Sequence, residues 1–264
     1  MNKVIRAEFG RTINAGLIIA IAGIIFSICF DSFNDLIAGL RNGQGYVGYF
    51  FSNAAFGGMC THYMLPVFTA LPFSVSLCQE RNNKAVSYIV SREGKNRYIF
   101  AKFIVSAISG GFVAVCGTVL LFLMFAMRFP IAGDEFEGAV VSDYFHEWSA
   151  VYYPQLYILT LSILAFCRGV IWSSLALCVS LYTSDFMVVL LSPFLGSYVL
   201  VRIFQIIRVP DMVRPDMILI GQVVIKSSGL TLLIAIAISL TIVTLIGAFF
   251  VGKMKEGLKS GTIY

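Results

Sequence analysis

Charge is what this chain has least of. Only 12% of its 264 residues are Asp, Glu, Lys or Arg, about half the ~25% of a soluble globular domain. Apolar residues make up 58% and come in blocks instead of alternating with polar ones, which excludes a water-soluble fold with one buried face per element. No polar stretch between the blocks is long enough to fold by itself, so residues 1–264 read as one membrane domain. Histidine is nearly absent, and His62 and His146 stand too far apart to suggest a metal site. The six cysteines, Cys29, Cys60, Cys78, Cys116, Cys167 and Cys178, never show C-x-x-C spacing. Their places within or beside apolar blocks make them small buried hydrophobes, not a zinc site or a disulfide framework.

Motifs for chemistry are missing as well. No G-x-x-x-x-G-K-[ST] loop occurs, so ATP is not bound here in the P-loop manner; Gly257-Leu258-Lys259-Ser260 has the wrong spacing. There is no H-E-x-x-H, no G-x-S-x-G and no carboxylate pair inside an apolar block, so the chain is not expected to be an enzyme. The N-x-[ST] glycosylation acceptor is absent too. The first apolar run, from Ala15 to Phe30, ends in Asp31 without a small-residue cleavage pattern and is expected to be a retained helix, not a signal peptide.

What is present is a series of apolar blocks of membrane length, since about 20 residues of helix span the hydrocarbon core. They predict an all-α integral membrane protein with six spans, at 14–31, 56–78, 99–127, 155–182, 186–206 and 228–251. Ahead of the first, Val4, Ile5, Phe9 and Ile13 alternate with Lys3, Arg6 and Arg11. That pattern fits an amphipathic interfacial helix, or more simply a basic flank. Pro66 and Pro72 predict a kinked second helix, with a Gly- and aromatic-rich outer loop (43–58) before it. After the fifth, Met217 to Ile225 forms either a shallow re-entrant helix or an extension of the sixth. Twelve of the nineteen Lys and Arg fall on the side holding both termini and the loop after the second span. The positive-inside rule makes that side cytoplasmic. Asp134, Glu135, Glu137, Asp143 and Glu147 make the third loop acidic, as an outer loop can be.

Two places hold candidate function. The first is the cytoplasmic loop from Gln79 to Lys102, where Ala85, Tyr88 and Ile89 sit at i, i+3 and i+4 on one face of a short helix and Gly94 supplies its stop. The second is Arg168, near the middle of the fourth span, where a cation costs about 2.5–3.5 kcal/mol or more and must face the bundle or water. It either lines a translocation path or subunit interface, or is a structural arginine satisfied by carbonyls and the hydroxyls of Ser162, Ser173 and Ser174.

The loop and topology resemble the permease subunit of an ATP-binding-cassette (ABC) transporter of the type-2, exporter class. In that family an interfacial N-terminal helix precedes six spans, and the loop after the second carries a Glu, a coupling helix, a Ser-Arg-type turn and a Lys opening the third. Glu80, Ser91-Arg92 and Lys102 stand in those places. Leu175 to Ser180, Asp185 and Pro193-Phe194 are similar to the family's passage from the fourth helix to the fifth. Two features differ: Asn83-Lys84 replace a Gly-Thr pair, and no proline precedes Ser91. The resemblance implies a single permease domain over residues 1–264 in a bacterial plasma membrane. It implies coupling through Glu80, Arg81, Lys84, Tyr88, Arg92, Glu93 and Arg97 to a separate ABC-type ATPase that holds the ATP-Mg. A second permease copy, identical or paralogous, is implied too, with lipid around the pair and no nucleic acid. An amphipathic or hydrophobic cargo (peptide, lipid or drug) follows by elimination. The competing readings are an ATPase-independent secondary transporter, disfavoured by the lack of intramembrane Asp or Glu, and an accessory membrane subunit.

Overall fold

The computed structural model describes residues 2–42, 47, 50, 58–131, 148 and 153–260; the acidic third loop and most of the Gly- and aromatic-rich stretch lie outside them. Helix is the only regular structure among the described residues. Four helices are long and apolar enough to cross a membrane. We number the helices α1 (Asn2–Thr12), α2 (Ala15–Asp31), α3 (Phe33–Asn42), α4 (Met59–Ala70), α5 (Ser76–Asn82), α6 (Val86–Glu93), α7 (Lys95–Ala126), α8 (Pro154–Val179), α9 (Phe186–Ile207), α10 (Pro215–Ile220) and α11 (Ser228–Ser260). The four long ones are α7, α8, α9 and α11.

Helix α8 is the axis of the bundle, packed against α7, α11, α4 and α9. Its contact with α7 is close because small residues face each other. A Cβ on Gly169 would run into the backbone of Gly110 and Gly111, and one on Gly110 would strike Ser173. Without a hydrophobic drive between helices in lipid, such close approach and polar side chains supply the attraction. The polar part is a serine cluster: Ser173 Oγ donates to the Ser106 carbonyl at 2.6 Å, and Ser74 Oγ donates to the Ser173 carbonyl at 3.0 Å. Around this axis, α9 and α11 leave Leu191, Leu195, Leu233, Leu240, Leu245 and Phe249 exposed. Apolar patches of that extent fit hydrocarbon, not water.

Two of the six expected spans do not stand among the four long helices. The first is α2, only 17 residues long and bent by 56° from α1. The bend falls at Asn14, whose side chain accepts from Leu17 N at 3.1 Å and caps α2. The second is not the kinked helix expected from Pro66 and Pro72 but two helices, α4 and α5, separated by turns at 71–75. Pro66 is held inside α4, whereas Pro72, with no N–H to give, sits in the break. The freed groups are met locally: the Pro72 carbonyl accepts from Asn14 Nδ2 at 3.3 Å, and Ser74 N donates to the Ala70 carbonyl at 3.1 Å. Asp31, read as the end of the first span, also caps α4, its two oxygens accepting from Cys60 N at 2.9 Å and Thr61 N at 2.6 Å.

The expected N-terminal helix is present as α1, but its buried face differs from the expected one. Val4, Glu8 and Thr12 are buried, while Ile13 is among the most exposed apolar residues. The stretch after the fifth span is a separate short helix, α10, and does not extend the sixth. Gly221, at φ +89°, ends α10 in the left-handed region that a glycine occupies without a Cβ clash.

Candidate functional site

At one end of the bundle the chain builds a plate from α6. Val86 and Val90 face inward and join Leu77, Tyr98, Leu177, Phe250 and Met254 in one apolar cluster, so α6 rests on α5, α7, α8 and α11 together. This corrects the expected face in part: Ile89 packs against the cluster, but Tyr88 points out, at 68% exposure, and Val86 and Val90 take the buried positions. The two sets are offset by one residue, about 100° around the helix, and periodicity alone does not say which meets the bundle. Gly94, at φ +85°, closes α6 and turns the chain into α7.

Beneath this plate lies a buried ion cluster. Lys102 is fully buried, and Glu80 is 2% exposed. Lys102 Nζ donates to Glu80 Oε1 at 2.7 Å, to Glu8 Oε2 at 3.0 Å and to Ser76 Oγ at 3.2 Å, and stands 4.7 Å from the centroid of the Phe73 ring. Tyr98 Oη donates to Glu80 Oε2 at 2.5 Å, and Arg11 pairs with both Glu80 and Glu8. Two carboxylates therefore meet two cations, which is what allows charges to be buried at all. Burial by itself would raise the Glu80 carboxyl. The Lys102 charge and the hydrogen bonds from Lys102, Tyr98 and Arg11 outweigh that and hold it below its ordinary value of 4.5.

The predicted coupling residues thus divide. Glu80 faces inward and ties α5 to α1 and α7. Arg81 is also engaged, its Nη1 donating to the carbonyls of Ser180 at 2.9 Å and Leu181 at 3.2 Å, a cation at the C-terminal end of α8. Lys84, Tyr88, Arg92 and Arg97 are exposed on and beside α6, and Glu93 forms a surface ion pair with Arg92 at 3.0 Å. Sequence reasoning singled out Glu80 and Lys102 but missed Glu8 and Tyr98. A signal for Glu8 was available: it is the only acid in α1 and stands one turn before Arg11.

Away from that end, Arg168 is 7% exposed and makes no hydrogen bond or ion pair with any described residue. The hydroxyls expected to satisfy it are not its partners: Ser162 Oγ donates to the Ile158 carbonyl, Ser173 belongs to the serine cluster and Ser174 Oγ is unbonded. Arg168 instead borders a cavity of about 180 Å³ shared with His62, Tyr63, Gln205, Arg214 and Asp216, well above the ~15 Å³ that one water needs. The α10 helix, too short to span, brings Asp216 here. Asp216 is committed to Arg214, its oxygens accepting from Arg214 Nη2 at 2.7 Å and Nε at 3.3 Å. An apolar chamber of about 140 Å³ adjoins, walled by Ile171, Trp172, Leu175, Leu219, Ile242 and Ile246, with Arg168 and His62 on the shared rim.

Comparison with family profiles, curated proteins and solved structures finds no match to this chain. Among the described residues no group of three or more His, Cys, Asp or Glu is placed to hold a metal ion.

Proposed function

We propose that the chain is the membrane-spanning permease subunit of an ATP-driven exporter of the ABC type. A separate ATPase docks against α6, and a second permease copy completes the path. The observation that carries this reading is the build of the α6 end. A short helix with an exposed Tyr and basic residues sits on the ends of three long helices, and a buried ion cluster locks α5 to α1 and α7 beneath it. Such a plate passes a push on its outer face into the whole bundle instead of dissipating it in a loop. Interfaces of this kind draw their energy from a few Tyr and Arg anchors, and Tyr88 and Arg92 are of that type. In this reading α2 and the α4–α5 pair complete six membrane crossings, both termini and α6 are cytoplasmic, and α10 is an outer re-entrant helix. Exposed faces of α9 and α11 leave room for lipid and for a second copy.

Affinity purification of the tagged chain from its native membrane in mild detergent, followed by mass spectrometry, tests the reading. A P-loop ATPase in about equal amount is the expected companion. A clean preparation of this chain alone, repeated under gentle conditions, would favour an autonomous transporter or an accessory subunit instead.

A further inference from the structure

The region around Arg168 has two halves of opposite character sharing one rim. On one side are polar groups: His62, Gln205, and the Arg214–Asp216 pair. On the other is a chamber closed by Trp172, Leu175, Leu219 and Ile246. Arg168 is the one residue of this set that is cationic, buried and without a partner of its own. Asp216 lines the same walls, but both of its oxygens already accept from Arg214, whose Nη1 also donates to the exposed Asp211 at 3.2 Å. A lone guanidinium at this depth is costly, and natural proteins keep one where it faces water, a cavity or an anion. Its planar fork suits two oxygens of a carboxylate or phosphate.

The apolar chamber sets the rest of the ligand. A free inorganic anion would use the guanidinium and leave the chamber unfilled; a plain hydrocarbon would use the chamber and leave the guanidinium bare. Only a molecule with both parts uses both halves. The chamber lies between α8, α9, α10 and α11, and Leu200 in its wall is partly exposed on the apolar outer surface of α9, so a chain can enter sideways from lipid.

We propose that this site binds a single-chain amphiphile whose anionic head, a carboxylate or phosphate, pairs with Arg168 and whose hydrocarbon chain fills the chamber beside Trp172 and Leu175. As a statement about cargo this rests on the permease reading; as a statement about binding it does not.

The test uses the full chain, purified and placed in nanodiscs of zwitterionic lipid, with empty nanodiscs as the partition control and no ATPase present. The probe is a fluorescent polyene fatty acid, displaced in turn by a monoacyl phosphate, by the alcohol of the same chain length and by excess inorganic phosphate. The site requires displacement by the monoacyl phosphate at about tenfold or more lower concentration than by the alcohol, and none by inorganic phosphate. Arg168→Gln should erase that preference. Leu175→Trp, which fills the chamber without touching the charge, should weaken acid and alcohol alike. Displacement by inorganic phosphate, or an unchanged preference in Arg168→Gln, would overturn the proposal. Should Arg168→Gln fail to fold, full-strength binding in Leu175→Trp overturns it independently. Ligand binding here together with a native-membrane purification that brings down no ATPase would sink only the permease reading, and a copurifying ATPase with no binding here only this one.

Discussion

Replacing Lys102 by methionine keeps the length of the side chain and removes the charge that Glu8 and Glu80 share at 3.0 and 2.7 Å. Two buried carboxylates would then face Arg11 alone, and breaking a buried pair by deleting one partner typically costs about 3–5 kcal/mol. Lys102→Met is therefore expected to lower the melting temperature in detergent sharply or to abolish folded expression, while Lys95→Met, on the exposed start of α7, should leave it unchanged. The same cluster gives a pH dependence of known sign. The Glu80 carboxyl is held below 4.5 in the folded chain, so its ionised form is favoured by folding. Its contribution is complete above pH 4.5 and is lost as pH falls through the lower folded value. Thermal melts should show the wild type losing stability in that acid window and Glu80→Gln, weaker at neutral pH, losing less. Parallel pH curves for the two would show that Glu80 is not the titrating group. At this scale the sequence was legible only in part. Glu80 and Lys102 could be singled out, but their pairing spans a gap of 22 residues and the Glu8–Lys102 contact one of 94. No local spacing encodes such distances.

Among the elements, the long helices were the easiest to read, because an uninterrupted apolar run has one solution in lipid: a helix with its backbone bonds made internally. The expected 99–127, 155–182, 186–206 and 228–251 appear as α7, α8, α9 and α11, with small shifts at their ends except that α11 runs on to Ser260. The second span was misread because proline marks a weak point without saying whether the helix bends or breaks. The open turn is held from outside the segment by Asn14, Ser106 and Ser173, which bond to the Pro72 carbonyl and to Ser74 within it. Helix α3 has no counterpart among the expected elements, because at ten residues with Asn, Asp and Arg among its apolar positions it is too short and too polar to read as a span. The existence of α6 was legible and its inward face was not. That inversion matters for function. With Val86 and Val90 holding α6 in place, changes on the opposite face should spare the fold. Tyr88→Ala and Arg92→Glu are thus expected to leave melting within about 0.5 kcal/mol of wild type, as exposed sites do, while reducing stimulation of the proposed ATPase partner about tenfold, the effect of losing an interface anchor. A melting change with stimulation intact would make α6 a structural strut and nothing more.

For the molecule as a whole, the same build recurs at both regions of interest. A cation is buried on a long helix, Lys102 on α7 and Arg168 on α8, and in each case the nearby acids come from elements too short to span: Glu8 of α1 and Glu80 of α5 around Lys102, Asp216 of α10 near Arg168. Among the described residues the buried acids sit on short helices, while the four long ones present apolar faces outward. The central claim is that force enters through α6 from a partner on the side of Lys84, Tyr88, Arg92 and Arg97. The most direct measurement is site-specific photo-crosslinking in intact cells. A photoreactive phenylalanine analogue is placed at Tyr88, and in a control chain at Met212, exposed in the segment between α9 and α10. The account predicts one strong adduct from position 88, identified by mass spectrometry as a P-loop ATPase, and none of that product from position 212. Equal labelling of the ATPase from both positions, or none from position 88 in a well-expressed chain, would contradict it.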